Sequence, residues 1–355
     1  MKIIQIAPYY LPHYGGVEKH VEEISKLLIV KGHEVIVVTL QNDRKLKKKD
    51  QRQKVKIFRI PLFSILHSSF LDKFKYKLSL WSWVWHHREI FTQSDIVHVH
   101  DVFWWILPIW LLVRRKIFIT FHGWEAVYPV PLKNKLQRWI WSKLSQARIH
   151  VGQYIEEFYW DKADKVIYGG VETISPLLSG SARQKSDLLS HKERGILNTI
   201  FVGRLERVNE IESYICMINE LKKANFKIKV LWLGDGSLRK ECEEVGRVLG
   251  VTQDQEKYIR KADVVFANSY LSILKAQAMG KVVVSLYSHK LKQRYLETYP
   301  GSKYMIIQDN TCTIEKMIAL LTDKKKILKV QKAAKDFASK MTWKKVLKTY
   351  GELWS

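Results

Sequence analysis

The first forty residues follow the pattern of a strand, a turn, a helix and a second strand. Residues 2–7 are mostly apolar, and apolar residues recur with helical spacing from Val17 to Val30. Gly32 stands where this helix would end, and residues 34–40 form another apolar run rich in Val and Ile. Two buried strands joined by a helix predict a parallel sheet that is covered by helices.

Short apolar runs of strand length recur along the rest of the chain and alternate with segments of helical spacing. They span residues 94–100, 116–121, 147–152 and 165–168, and then 199–202, 227–233, 262–267 and 281–285. The polar, basic segment 41–55 is predicted to be a loop. The chain is therefore predicted to be α/β, with doubly wound sheets that bind ligands at the carboxyl ends of their strands.

A change of composition divides the 355 residues into two parts. Residues 174–198 contain Pro176, Ser179, Gly180 and many charges, which is typical of a linker. Domains usually hold about 100–200 residues, so this length favours two. We predict an N-terminal domain at 1–175, a linker at 176–198 and a C-terminal domain at 199–338.

The chain is strongly basic. Its formal net charge is +25, from 60 Lys and Arg residues against 35 Asp and Glu residues. Such an excess is compatible with a small anionic substrate, an anionic membrane surface or nucleic acid. It is equally compatible with a surface whose charges are simply solvated. Apolar residues make up 46% of the chain, which excludes a disordered protein.

Neither the cysteines nor the apolar runs indicate export or a membrane span. Cys216, Cys242 and Cys312 lack paired spacing, so we expect neither a disulfide framework nor a zinc site, and a reducing, cytoplasmic location. The N-terminus lacks the charged region and apolar core of a secretory signal. The apolar run at 102–113 is shorter than the roughly 20 residues that a spanning helix needs.

Gly15 and Gly16 lie between the first strand and the first helix. Glycines let a ligand approach the backbone closely, and the amides at a helix N-terminus attract anions. Many α/β turns hold two glycines for structural reasons alone, so both interpretations stay open from this feature.

Several loose motifs follow one another in a specific order. They are Gly-Gly-Val-Glu at 15–18, Asp-Ile-Val-His-Val-His at 95–100, Thr-Phe-His-Gly at 120–123, Val-Ile-Tyr-Gly-Gly-Val-Glu at 166–172, Phe-Val-Gly-Arg-Leu at 201–205, Leu-Gly-Asp-Gly at 233–236, Ala-Gln-Ala-Met-Gly-Lys at 276–281 and Met-Thr-Trp at 341–343. Over nearly its whole length the chain thus resembles the family-four retaining glycosyltransferases. The resemblance implies the GT-B fold, in which two Rossmann-like domains face a cleft. It also implies that residues 339–355 form a helix that crosses back to the N-terminal domain.

The resemblance implies transfer of a sugar from a nucleotide-sugar donor, with retention at the anomeric carbon. Arg204 matches the phosphate-binding arginine of the family, and a guanidinium group suits a leaving diphosphate. His122 matches a histidine near the donor sugar. A surface ion pair for Arg204 and a packed histidine at a strand end for His122 are the structural alternatives. The residues that the resemblance assigns to substrate binding are Gly15, Gly16, Glu18, Gly123, Gly170, Gly203, Asp235, Gly236, Ser269 and Ser272.

The chain departs from the family at the donor site. The Glu-x7-Glu signature and its glycine loop have no counterpart, and Lys275 stands where the second glutamate would be. Asn209 replaces the lysine that follows Gly-Arg-Leu, and the segment 236–262 is short enough that a helix or strand is expected to be trimmed. An ammonium group cannot accept hydrogen bonds from ribose hydroxyls. Lys275 is therefore either a substitute phosphate contact and the third candidate catalytic residue, or a solvated residue of a degenerate site.

Only the composition of two segments indicates where the N-terminal domain would bind the sugar acceptor. Residues 66–91 and 129–143 interleave aromatic residues with Lys, Arg and His. This pattern suits an anionic membrane interface at the inner face of the membrane, stacking of sugars on Trp, or helices that pack into the core. No Asp-x-Asp motif or cluster with ligand spacing is present, so we expect no metal and no cofactor beyond the nucleotide-sugar substrate. No nucleic-acid module is recognisable.

Three functions remain open from the sequence. The first is a retaining glycosyltransferase that extends a glycan, lipid-linked or other acceptor. The second is a glycosyltransferase-like binding or partner protein without catalysis. The third is a basic membrane or nucleic-acid binder that reuses the fold, because a fold does not fix a function.

Overall fold

The computed structural model describes residues 1–61, 70–123, 128–172, 196–252 and 254–354. These residues form two compact units. Unit 1 comprises Met1–Ile167 and Trp343–Ser355, and unit 2 comprises Tyr168–Thr342. The predicted linker lies outside the described residues, except for 196–198, which begin a strand of unit 2.

Unit 1 is built on one eight-stranded sheet in the order β3-β4-β2-β1-β5-β6-β7-β8. All of its pairings are parallel except that of β3 with β4. The strands are β1 (Lys2–Ile6), β2 (Glu34–Gln41), β3 (Lys49–Arg52), β4 (Val55–Pro61), β5 (Ile96–His100), β6 (Ile117–Phe121), β7 (Ala147–Val151) and β8 (Lys165–Ile167). Nearly every residue of β1, β2, β5 and β6 is buried, which confirms the predicted parallel α/β sheet.

The helices of unit 1 cover both faces of this sheet. They are α1 (Gly16–Val30), α2 (Phe70–His86), α3 (Arg88–Thr92), α4 (Trp110–Val113), α5 (Leu132–Leu144) and α6 (Tyr154–Phe158), with 3-10 helices at Phe103–Ile109 and Arg114–Lys116. From β1 the chain passes to β2 at one side, whereas β5, β6 and β7 proceed towards the other. Right-handed crossovers therefore place α1 on one face and α4 and α5 on the opposite face.

The loop predicted at 41–55 was wrong in part. Residues Lys49–Arg52 form β3, which pairs antiparallel with β4 at the edge of the sheet. Arg59 of β4 is buried and donates to the carbonyl group of Lys47 at 2.9 Å and to the carboxylate of Asp50 at 3.2 Å. These contacts hold a polar segment against the sheet, and the local sequence pattern contains no sign of them.

Unit 2 is built on a six-stranded, wholly parallel sheet in the order β11-β10-β9-β12-β13-β14. The strands are β9 (Ile196–Val202), β10 (Lys227–Leu233), β11 (Arg247–Val248), β12 (Val264–Phe266), β13 (Val282–Tyr287) and β14 (Ile306–Asp309). Phe201, Tyr214 and Trp232 are fully buried in its main apolar cluster, and the ring centroid of Phe201 lies 5.5 Å from that of Tyr214 and 5.4 Å from that of Trp232.

The helices of unit 2 are α7 (Ile211–Lys223), α8 (Arg239–Val245), α9 (Gln255–Ile259), α10 (Tyr270–Ala278), α11 (Lys290–Glu297), α12 (Glu315–Thr322) and α13 (Lys324–Ala338), with 3-10 helices at Arg207–Asn209 and Ser302–Tyr304. The segment 236–262 that we expected to be trimmed retains two short helices and the two-residue strand β11. The chain then returns to unit 1 as α14 (Trp343–Trp354).

The expectation that the cysteines are unpaired was wrong. Cys216 on α7 and Cys312 after β14 form a disulfide bond, with Cα atoms 5.6 Å apart and 96 positions of separation in the sequence. The fold brings together residues whose spacing gives no indication of pairing. Cys242 is a free, buried thiol. The cysteines therefore no longer support a reducing compartment.

None of the described helices is both long enough and apolar enough to cross a membrane.

Candidate functional site

Glu18 lies over the glycine turn at the start of α1. Its carboxylate is 2.9 Å from Nδ1 of His13, and its side chain is buried. A Cβ atom on Gly15 would overlap this carboxylate, whereas a Cβ atom on Gly16 would meet nothing within 4 Å. A negative charge at a helix N-terminus is favoured by the helix dipole. Gly15 thus lies directly beneath the Glu18 carboxylate, while Gly16 leaves open space beside the helix end.

His122 follows β6 at the carboxyl edge of the sheet. Its backbone amide donates to Oδ1 of Asp101, the residue after β5, at 3.0 Å. The next residue, Gly123, has φ of +71°, and a Cβ atom there would overlap the hydroxyl group of Tyr154. That hydroxyl donates to the carbonyl group of Gly123 at 2.6 Å. Only glycine fits this position, and the turn fixes the main chain on both sides of His122.

The His122 imidazole belongs to a chain of polar side chains that runs into unit 1. Its Nε2 is 3.0 Å from Nδ1 of His100, and Nε2 of His100 is 3.1 Å from Oε1 of Gln5. The amide nitrogen of Gln5 donates to Oγ of Ser25 at 3.0 Å. Gln5, Ser25 and His100 are fully buried, so the chain is closed to solvent on its inner side.

A second polar chain joins α14 to the same region. The indole nitrogen of Trp354 donates to Nδ1 of His98 at 3.2 Å, and Nε2 of His98 lies 2.7 Å from Oγ1 of Thr120. The hydroxyl group of Tyr350 is 2.9 Å from Thr120 Oγ1 and 2.8 Å from Nε2 of His20. Tyr350 thereby connects the last helix to α1 and to β6.

The two chains meet at His20, whose ring lies edge-on to that of His122 at 5.1 Å between centroids. Burial lowers the pKa of His20, His98 and His100 well below the ordinary value, and neighbouring histidines add to this effect. Burial, with a contribution from the Arg138 cation, lowers the pKa of His122 to about 3. All four imidazoles are therefore neutral near pH 7.

In unit 2 the loops that follow β9 and β10 touch through their backbones. The amide of Gly203 donates to the Leu233 carbonyl group at 3.1 Å, and that of Leu205 donates to the Asp235 carbonyl group at 2.9 Å. A Cβ atom on Gly236 would overlap the Leu205 carbonyl group, which explains this glycine by close backbone approach. The Arg204 side chain is exposed beside this pair of loops.

Asn268, which follows β12, links the candidate residues Ser269 and Ser272 to the loop that carries Arg204. Its amide nitrogen donates to the Asn209 carbonyl group at 3.0 Å, and Asn209 in turn donates to the Arg204 carbonyl group at 2.8 Å. Ser269 precedes α10, and its hydroxyl group donates to that of Ser272 at 2.9 Å. These contacts gather Arg204, Asn209 and the start of α10 at the carboxyl edge of the sheet.

The ammonium group of Lys275 donates to Oε1 of Gln255, at the start of α9, at 3.2 Å. Lys275 is half-buried and lies in the sixth position of α10. The side chain therefore rests against a neighbouring helix, and does not project from the first turn as Ser269 and Ser272 do.

A buried lysine supports the same edge from within. Nζ of Lys292 donates to the Asn268 carbonyl group at 2.6 Å and lies 4.4 Å from the centre of the Tyr295 ring. Burial lowers the pKa of Lys292 to about 7, while the nearby Glu210 carboxylate opposes the shift. Burial also raises the pKa of Glu210, which accepts a hydrogen bond from Ser288 at 2.5 Å.

No group of three His, Cys, Asp or Glu side chains within the described ranges could hold a metal ion.

Two family models match the chain in succession. The model described as Glycosyltransferase Family 4 matches residues 14–173, and that described as Glycosyl transferases group 1 matches residues 197–323. An uncharacterised glycosyltransferase of Methanocaldococcus jannaschii is 24% identical over 99% of this chain and 98% of its own length.

Solved structures share the fold over nearly the full length. Sucrose-phosphate synthase of Thermosynechococcus elongatus has a TM-score of 0.74 at 14% identity and covers 99% of this chain and 98% of its own. HepE of Anabaena, solved with UDP and glucose, has a TM-score of 0.69 at 14% identity, with coverage of 99% and 98%. The chain belongs to the family-4-like glycosyltransferases and has the GT-B fold.

Within this glycosyltransferase, the predicted site residues of unit 1 gather around the first half of α1. Gly16 and Glu18 belong to that helix, and His122 contacts it through the ring of His20, which was not predicted. In unit 2 the structure brings together Gly203, Arg204, Asp235, Gly236, Ser269 and Ser272. Gly170 lies instead beside the end of unit 2, where the amide of Val171 donates to the Met341 carbonyl group at 2.8 Å.

Sequence reasoning missed the residues that support the candidate site. His98 and His100 are two positions apart on β5, so their shared face could have been inferred from the strand period. Tyr350 and Lys292 carry no such signal. Tyr350 reaches His20 across 330 positions, and Lys292 contacts the Asn268 carbonyl group from α11.

Proposed function

We propose that the protein transfers a sugar from a nucleotide-sugar donor to an acceptor, with retention of the anomeric configuration. Unit 2 would bind the nucleoside diphosphate. The gathering of Arg204, Ser269 and Ser272 at the carboxyl edge of the unit 2 sheet carries this proposal, because ligands of doubly wound sheets bind there.

Arg204 is the proposed contact for the leaving diphosphate. Its guanidinium group is exposed, while its carbonyl group is held by Asn209. A planar guanidinium group can donate two parallel hydrogen bonds to phosphate oxygens and offset the charge that develops as the sugar leaves. The amides at the start of α10 and the Ser269 hydroxyl group would provide further donors for the same phosphates.

His122 is the proposed contact for the donor sugar. Its main chain is fixed by Asp101 and by the Gly123 turn, and its ring is only partly buried. Because the imidazole is neutral near pH 7, it would act as a hydrogen-bonding group and not as a cation. Solved relatives support the donor class, since HepE of Anabaena was solved with UDP and glucose.

Lys275 is still either a substitute phosphate contact or a residue of a degenerate donor site. Its hydrogen bond to Gln255 gives the ammonium group a structural role, and a phosphate contact would require the side chain to leave that partner. The substitution Lys275→Ala separates the two, since unchanged affinity for a nucleoside diphosphate would exclude the phosphate contact.

The proposed acceptor is a glycan or a lipid-linked glycan, presented at an anionic membrane surface. The face of unit 1 that carries α2, α4 and α5 supports this part of the proposal. Large apolar side chains are exposed along it, which are Leu71, Phe74, Leu78, Leu111, Leu112, Leu132, Leu136, Trp139 and Ile140. We call these residues the basic apolar face, because Lys73, Lys75, Lys77, Arg114, Arg115, Lys133 and Lys143 are exposed among them.

The helices of this face are joined to one another. The indole nitrogen of Trp81 on α2 donates to the Trp104 carbonyl group at 2.8 Å, and that of Trp110 on α4 donates to the carbonyl group of Leu144 on α5 at 3.0 Å. Exposed apolar groups surrounded by cations suit the interface of an anionic bilayer. Peripheral attachment would bring a lipid-linked acceptor to the protein.

A thermal-shift panel of uridine, guanosine, adenosine, cytidine and thymidine diphosphates tests the donor site. A ligand at a concentration of 100 times its Kd adds about 2.7 kcal/mol to the free energy of unfolding, which is measurable. We expect one diphosphate to raise the melting temperature clearly above the others. If none does so, the glycosyltransferase-like binding protein without catalysis becomes the better account.

A further inference from the structure

One polar chain in unit 1 ends on His122, and each of its inner members can be assigned a donor or an acceptor role. The amide nitrogen of Gln5 donates to Ser25, so its oxygen faces Nε2 of His100 at 3.1 Å. An amide oxygen can only accept a hydrogen bond. The proton of His100 must therefore be on Nε2.

The assignment continues from His100 to His122. Burial keeps the His100 imidazole neutral, so a proton on Nε2 leaves Nδ1 as an acceptor. Nε2 of His122 lies 3.0 Å from this acceptor and must carry a proton of its own. In neutral His122 the other nitrogen, Nδ1, is then unprotonated.

We propose that Gln5 and His100 are positioning residues that fix the tautomer of His122, so that its Nδ1 accepts a hydrogen bond from a hydroxyl group of the donor sugar. This inference rests on the proposed function. Neither Gln5 nor His100 would touch the substrate, because both are fully buried. Their effect would be transmitted through the single hydrogen bond to His122 Nε2.

The surroundings of His122 support a fixed ring. Asp101 holds its backbone amide, and the rings of His20 and His100 lie 5.1 and 5.3 Å from its ring centre. His20 is itself bound to Tyr350, so it cannot turn without breaking that hydrogen bond. These contacts restrict the ring and its protonation state, which would pre-organise a hydrogen bond to a substrate.

Long-range ¹H–¹⁵N spectra of protein labelled with [¹⁵N]histidine test the assignment directly, without any ligand. Neutral imidazoles with the proton on Nε2 or on Nδ1 give distinct nitrogen chemical shifts. The signals of His100 and His122 are assigned by their absence from the spectra of H100N and H122N. We expect both His100 and His122 to have the proton on Nε2 at pH 7.5. A proton on Nδ1 of His122 would overturn the proposal.

Variants test whether the chain acts on the sugar. His100→Asn keeps an acceptor near the position of Nδ1, whereas His100→Ala removes it. Loss of one neutral hydrogen bond should lower the affinity for the nucleotide sugar by about three- to tenfold. The affinity for the free nucleoside diphosphate should not change. We expect this loss in His100→Ala and its rescue in His100→Asn, with the same contrast between Gln5→Leu and Gln5→Glu.

The two readouts separate the proposals from each other. If the tautomers are as assigned but no nucleotide sugar binds, the proposed function is wrong. The tautomer of His122 is then confirmed, and its hydrogen bond to a donor sugar is overturned. If sugars bind equally well to wild type and to both His100 variants, the positioning role is overturned and the proposed function stands. Should His100→Ala not fold, Gln5→Leu supplies the same comparison.

Discussion

The hydroxyl group of Tyr350, on the last helix, lies 2.8 Å from Nε2 of His20, on the first. Both side chains are buried, and Thr120 on β6 shares the same hydroxyl group at 2.9 Å. The C-terminal helix thus closes unit 1 through a polar contact, in addition to the apolar contacts of Trp343 and Leu347, which are also buried.

Removal of that hydroxyl group should destabilise unit 1. Tyr350→Phe leaves His20 and Thr120 without their shared partner, and an unsatisfied buried polar group costs about 1–3 kcal/mol. Urea unfolding should show a loss of this size, whereas Lys348→Ala, an exposed position on the same helix, should show almost none. Equal stabilities of Tyr350→Phe and wild type would mean that the contact contributes nothing.

Acid should destabilise unit 1 through its buried histidines. Their pKa values are lowered in the folded protein, so only the unfolded chain gains protons just below pH 6.5. Stability is therefore complete above about pH 6.5 and falls as the pH decreases, by about 1.4 kcal/mol per pH unit for each such group. For His122 the fall continues towards its folded pKa of about 3.

Urea midpoints between pH 7.5 and 5 measure this dependence. His20→Gln should make the dependence of the unfolding free energy on pH shallower by the equivalent of one proton. Parallel slopes for wild type and His20→Gln would contradict the assignment of a neutral, buried His20.

The disulfide bond should be detectable and stabilising. Thiol titration of unreduced protein in denaturant should find one free thiol, Cys242, and reduction should raise the number to the three cysteines of the chain. Because the bond closes a loop of 96 positions, its loss should destabilise unit 2 by up to about 4–5 kcal/mol. Cys216→Ser should abolish the sensitivity to reductant, and three thiols before reduction would show that the bond does not form.

Arg204 and Arg207 provide a matched pair in the loop after β9. Arg204→Ala should weaken binding of the preferred nucleoside diphosphate by about ten- to a hundredfold, the range for hydrogen bonds to a charged group. Arg207 is exposed and pairs with Glu212 at 3.2 Å, so Arg207→Ala should bind almost as wild type does. Calorimetric titration measures both, and equal losses would exclude a specific phosphate contact by Arg204.

The basic apolar face should bind anionic vesicles. We expect co-sedimentation with phosphatidylglycerol vesicles that decreases as salt increases, and little with phosphatidylcholine. Leu136→Gln combined with Ile140→Gln should weaken binding at least tenfold, because each apolar side chain contributes about 1.5–3 kcal/mol on burial. Leu328→Gln on α13 of unit 2 is the control, and vesicle binding unchanged by the α5 substitutions would contradict this interface.

The sequence contains the strand and helix periods that predict two parallel sheets, and these were confirmed. It also contains the order of motifs that predicts the family. It gives no local signal for β3, whose polar residues are held by the side chain of Arg59 on the neighbouring strand, or for the pairing of Cys216 with Cys312, which lie 96 positions apart. The roles of His122, Arg204 and Lys275 stay predictions, although Lys275 now has Gln255 as a structural partner.

The candidate glycines also differ in what the sequence could predict about them. Gly123 and Gly236 were predicted as substrate contacts, and the structure explains each by a backbone or side-chain neighbour that leaves no room for Cβ. Gly16 has open space around it, so its role is still compatible with a ligand. The sequence alone could not separate these cases, since it gives the residue type and not the neighbour.

Donor turnover tests the central claim most directly. Purified protein is incubated with uridine, guanosine and adenosine diphosphate sugars, and the released nucleoside diphosphate is measured, with Arg204→Ala and Arg207→Ala in parallel. We predict slow release from one donor even when water is the only acceptor, retained in Arg207→Ala and reduced at least tenfold in Arg204→Ala. Release no faster than in buffer from every donor would contradict the assignment of this protein as an active glycosyltransferase.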